Sequence, residues 1–82
     1  MTTTYETVRA QALFASSLQP SQRPTPTEVR AAIAATLRNR GAPGCAAAVA
    51  TEYGDHPETA STRMAWALAT VRALTPTLVG AA

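Results

Sequence analysis

Apolar residues recur along most of this chain at spacings of three and four, the period of an amphipathic helix, and clusters of proline and glycine interrupt the pattern. The first segment predicts a helix over about 4–18. Thr3-Thr4-Tyr5-Glu6 has the spacing of a capping box at its start. On this helix Val8, Gln11, Ala12, Phe14, Ala15 and Leu18 share a broad side, while Glu6, Arg9 and Ser16 share the other, with Leu13 among the polar positions. A helix with apolar residues beyond one stripe is expected to touch two neighbours.

Gln19 to Pro26 carries three prolines among polar residues and reads as a connector. Its P-x-x-x-P-x-P spacing differs from that of a polyproline ligand. Thr25-Pro26-Thr27-Glu28 then supplies the strongest start signal in the chain: a threonine cap, a proline at the first helical position and a glutamate at the third. The second helix is expected over 26–40, ending at Gly41, with Val29, Ala32, Ile33, Thr36 and Leu37 as its buried stripe. Ala42-Pro43-Gly44 predicts a break before a third helix over 45–53, and Pro57 opens a fourth over 57–74 with Ala60, Met64, Ala67, Leu68, Val71 and Leu74 facing inward. Residues 76–82 show no pattern and are expected to fray. The fold expected is therefore all-α, a compact four-helix bundle formed by a single domain over 1–82, with Val8, Phe14, Leu18, Val29, Ile33, Leu37, Val49, Tyr53, Met64, Leu68 and Val71 as its large core residues.

Composition agrees with that reading. The 82 residues are 46% hydrophobic, alanine dominates them, and aromatic residues make up only 5%, so helices rather than strands are favoured. All 7 basic residues are arginines, and the net charge of +2 permits nucleic-acid binding without demanding it. The single cysteine, Cys45, excludes an internal disulfide and a cysteine-based zinc site. Its place at the start of the third helix makes a reactive thiolate conceivable, with His56 and Asp55 downstream, but a buried small hydrophobe is the simpler expectation. Asp55, His56 and Glu58 are too few and too closely spaced for a metal site and serve better as helix caps. No catalytic residue, metal or cofactor is expected. No run is long enough to cross a membrane, and the start lacks a signal-peptide pattern, so a cytoplasmic, non-enzymatic protein is expected.

The corner between the last two helices carries the most specific signal. Ala50 supplies a small residue in the first helix, Gly54 follows four places later where the chain could reverse at positive φ, and Val49, Tyr53, Ala60 and Met64 occupy the apolar places around them. Residues 45–66 in this way resemble the helix-turn-helix of small bacterial transcription regulators. Asp55, where that motif buries a Val or Ile, and the small Ala60 depart from it. The resemblance implies double-stranded DNA as partner, with Pro57, Ser61, Thr62 and Arg63 on the recognition segment and Arg38 and Arg40 on phosphates. Glu58 and Asp55 would repel those phosphates. The lysine-free style and the turn Gly54 to Ala60 are also similar to small helical actinobacterial proteins, a resemblance that implies no activity. The alternative function is a protein–protein interaction module, either a homodimer or an adaptor for a larger partner. Trp66 carries it, because it projects away from the core stripe. With Phe14, Leu18, Ala69 and Ala73 it would form the interface.

Overall fold

The computed structural model describes residues 4–74. Three α-helices, not four, make up the fold: α1 Thr4–Ala15, α2 Pro26–Asp55 and α3 Pro57–Leu74, with a 3-10 turn over Pro20–Gln22 between the first two. No strand occurs among the described residues. The expected loop at 41–44 shrinks to one residue. Gly41 alone leaves helical geometry, at φ 71° and ψ 166°, and kinks α2 where two helices were expected. The reason lies in Pro43, which falls in the first turn after Gly41, where a missing N–H leaves no hydrogen bond unmade. A proline so placed starts a new helical run without a connector, and the chain continues to Asp55.

The start of α2 follows its residues closely. Thr25 Oγ1 accepts from the Glu28 N–H at 3.1 Å, and the Thr25 N–H donates to Glu28 Oε1 at 2.8 Å. On the inner side Thr36, the only buried polar residue among those described, donates its hydroxyl to the Ala32 carbonyl at 2.7 Å and so enters the core without an unmade bond. The connector ahead of α2 is held by its own backbone. Arg23 adopts a left-handed conformation at φ 48°, with its N–H bonded to the Pro20 carbonyl at 3.1 Å.

α1 ends at Ala15, short of the expected Leu18. The Ser16 hydroxyl donates back to the Leu13 carbonyl at 2.6 Å and accepts from the Leu18 N–H at 3.3 Å, a local exchange that competes with another helical turn. The helix packs against both α2 and α3. This double contact buries Leu13 completely, at 0% exposure, although its spacing groups it with polar positions. Val8, expected in the core, is half-buried. Glu6, whose expected partner Thr3 lies outside the described residues, pairs with Arg72 Nε at 3.2 Å and so links the start of α1 to the end of α3. The inner ends of the helices meet in a core of Leu13, Phe14, Val29, Ile33, Cys45, Val49, Val71 and Leu74 with buried alanines between them. Ala10, Ala12, Ala60 and Ala67 leave room for close helix approach.

The corner before α3 also differs from expectation. Gly54 lies inside α2 without a positive φ, and the chain turns on His56, at φ −140° and ψ 67°. The His56 N–H closes α2 on the Glu52 carbonyl at 2.6 Å, while its own carbonyl accepts the Ala60 N–H at 2.9 Å and opens α3. One residue thus ends one helix and begins the next.

The two glycines should respond in opposite ways to alanine. Gly41 occupies a backbone region essentially reserved for glycine, so Gly41→Ala should lower stability by about 1–3 kcal/mol. Gly54 is exposed and helical, with nothing within 4 Å of an added Cβ. Gly54→Ala should therefore raise stability by about 0.5 kcal/mol through helix propensity. Urea midpoints of the two variants check both signs, and destabilisation by Gly54→Ala would restore a turn at that glycine.

Candidate functional site

The site is built around Arg63, on the second turn of α3. Its guanidinium reaches across to the end of α1, where the last carbonyls of the helix have no partner within the helix. Nε donates to the Phe14 carbonyl at 2.9 Å, and Nη2 donates to the carbonyls of Leu18 at 2.8 Å, Ser16 at 3.0 Å and Leu13 at 3.4 Å. Nη1 has only Gln19 Oε1, at 3.4 Å. The charge also meets the negative end of the α1 dipole. The guanidinium carbon Cζ lies 5.6 Å from the Phe14 ring centre and 5.1 Å from that of Trp66, within cation–π range of both. Burial lowers the Arg63 pKa from its ordinary value, and the nearby Glu52 carboxylate opposes that shift. A guanidinium stays charged under such a shift, and its planar fork suits several carbonyls at once.

Above this guanidinium opens a groove of about 470 Å³. Phe14, Ser16 and Gln19, at and just beyond the end of α1, line it together with Arg40, Thr51 and Glu52 of α2. Thr51 donates its hydroxyl to the Ala47 carbonyl at 3.0 Å. Arg40 is exposed and makes no hydrogen bond or ion pair among the described residues. Phe14 stacks on Tyr53 at 6.3 Å with 14° between ring planes, and Tyr53 itself is 38% exposed rather than a core residue. Cys45 is buried, and desolvation pushes its thiol pKa up, with Arg40 acting in the opposite direction. It is a core side chain and not an activated thiolate.

No family model matches the chain, and comparison with curated proteins and with solved structures finds no match.

Of the residues singled out for nucleic acid, the structure brings Arg40 and Arg63 to one groove. Pro57, Ser61 and Thr62 lie exposed on the first turns of α3, with the Thr62 hydroxyl turned back on the Glu58 carbonyl at 3.2 Å. Arg38 is exposed but does not line the groove, and Ala50, the small residue the helix-turn-helix pattern needs at its crossing, faces solvent. Of the residues singled out for an interface, Phe14 is buried, and Leu18 and Trp66 are half-buried against the core. Ala69 and Ala73 are exposed and line a second, mainly apolar groove of about 320 Å³ with Pro24, Pro26, Val29 and Leu74. Ser16, Gln19, Thr51 and Glu52 were not singled out as functional. The one local signal available was the three-residue spacing of Arg63 and Trp66, which sets a cation beside an indole on a helix.

Removing the Arg63 side chain leaves several half-buried carbonyls without a donor. Arg63→Ala should cost about 1.5–3 kcal/mol, the range for a hydrogen bond to a charged group, and Arg63→Lys should recover only part of it because an ammonium lacks the fork. Thermal unfolding followed by circular dichroism checks that order. Cys45 gives a pH prediction. A thiol whose pKa rises on folding keeps its proton where the unfolded chain has begun to ionise. Its contribution is complete below the unfolded pKa of about 8.5 and is lost as pH climbs above it. Stability should fall above that pH, and Cys45→Ala should flatten the fall.

Proposed function

We propose that this protein is a non-enzymatic protein–protein interaction module that pairs with a second copy of itself through the outer face of α3. The observation that carries this reading is the exposure of Ala69 and Ala73, four residues apart on one helix, beside an apolar groove walled by Pro24 and Pro26. Small side chains at that spacing let another helix backbone approach closely, and a two-fold axis would place each α3 against the other's groove. Trp66 supports the arrangement from below: Arg63 and the core fix its ring, which stiffens the turn of α3 next to Ala69.

Recognition of duplex DNA is the second reading, favoured by the exposed Arg38 and Arg40. It has less support at the recognition segment itself. The cation there, Arg63, is committed to α1, and the exposed Glu58 opposes phosphates. Both readings are non-catalytic. No group of three or more His, Cys, Asp or Glu able to hold a metal occurs among the described residues, and no helix there is long and apolar enough to cross a membrane.

Sedimentation equilibrium separates the two functions. The module should associate to a dimer at high micromolar concentration, and Ala69→Arg should shift it to monomer with its melting temperature unchanged. A wild type that remains monomeric at millimolar concentration would remove the pairing. Binding to duplex that weakens steeply with salt, and weakens further in Arg38→Ala, would establish the DNA reading instead.

A further inference from the structure

The groove over Arg63 is a built site that the pairing face of α3 does not use. Its floor is a guanidinium locked at several atoms. Nε and both hydrogens of Nη2 are taken by carbonyls at and just beyond the end of α1, whereas Nη1 has two hydrogens and a single long contact, to Gln19 Oε1 at 3.4 Å. Gln19 and Arg63 both line the groove. Arg40, from α2, brings to the same lining a second guanidinium that has no hydrogen bond or ion pair among the described residues. Two cations against the single carboxylate of Glu52 leave the groove with a net positive charge.

We propose that this groove binds a ligand bearing a single carboxylate and a small apolar body, with the carboxylate between Arg63 Nη1 and Arg40 and the body against Phe14, Ala15 and Ala48. Three observations select that chemistry. A remaining Nη1 donor on Arg63 beside the uncommitted fork of Arg40 fits a carboxylate, and Arg63 is already immobilised, so little side-chain entropy is lost there on binding. Glu52 lines the same groove as Arg40 and Arg63, so the lining carries one net positive charge, which a singly charged carboxylate balances better than a doubly charged phosphate. Phe14, Ala15 and Ala48 give a small apolar body a surface beside the charged groups, and about 470 Å³ holds a ligand the size of one or two amino acids. A free small organic acid and the C-terminus of a peptide share this chemistry. Binding does not depend on whether α3 pairs with a second copy.

The indole of Trp66, stacked on Arg63, provides the readout. Fluorescence and backbone amide shifts of the full chain would be followed on titration with N-acetylphenylalanine, its amide, a tripeptide ending in free phenylalanine and inorganic phosphate. The acid should bind with a Kd of about 1 mM and move the amides of residues 14–19 and 48–52, while the amide form should not bind. Arg40→Gln, at an exposed position without a structural partner, should weaken binding at least about fivefold, and Glu52→Gln should tighten it about threefold. A tripeptide binding more tightly than the single residue assigns the site to peptide C-termini, and weaker binding assigns it to small acids. Equal binding of acid and amide, phosphate binding as tightly as the acid, an Arg40→Gln variant with unchanged affinity, or no shift at about 20 mM would each overturn the proposal.

Discussion

The end of α1 is closed by a side chain that lies between 45 and 50 residues further along the chain. A helix that stops inside a small protein exposes carbonyls that water cannot fully reach, and each one left unmet costs free energy comparable to a lost hydrogen bond. Here no glycine follows the helix to close it in a left-handed turn. Ser16 satisfies the Leu13 carbonyl locally, and the Arg63 fork takes those of Phe14, Ser16 and Leu18. Ser16 thus ends α1 locally, and the Arg63 group ties that end to α3 and lies against both Phe14 and Trp66. The Glu6–Arg72 pair at the opposite end of the two helices is more exposed and belongs to the class of surface ion pairs worth little on their own.

Two one-residue joints take the place of the loops that separate helices in most small bundles. Gly41 bends α2 without breaking its course, and His56 ends α2 and starts α3 in one step. Both joints work because a proline follows within the first turn of the next helical run, where its missing N–H is harmless: Pro43 after Gly41 and Pro57 after His56. Short joints leave little freedom in the relative placement of the helices. That rigidity is what allows a groove to persist in a protein whose core contains so many alanines.

Local features were legible in the residues themselves. The capping box of Thr25 and Glu28, the start of α3 at Pro57, the all-helical character and the inward positions of Ala60, Ala67, Val71 and Leu74 all follow from spacing within a few residues. Gly41 interrupts the helix as its residue type suggests, but the proline and glycine near it suggest a loop, and only the backbone shows that Pro43 can begin a helix at once. The spacing misplaces Leu13 because helical periodicity assumes one buried face, whereas α1 is enclosed by two neighbours. Gly54 suggests the reversal because glycine tolerates positive φ, a tolerance that α2 does not use there. The role of Arg63 had no local trace beyond Trp66. Its acceptors are backbone carbonyls, which every residue carries, and nothing in a sequence marks which of them will be left open.

Arg63 is held rigidly at the end of α1, and its side-chain Nε–H resonance reports on this directly. In a 15N-labelled sample at neutral pH, Arg63 should give a resolved Nε–H signal that exchanges slowly with water and shows Overhauser contacts to the Phe14 and Trp66 rings. An Arg63 signal that exchanges as fast as those of exposed arginines such as Arg30, with no contact to either ring, would contradict it.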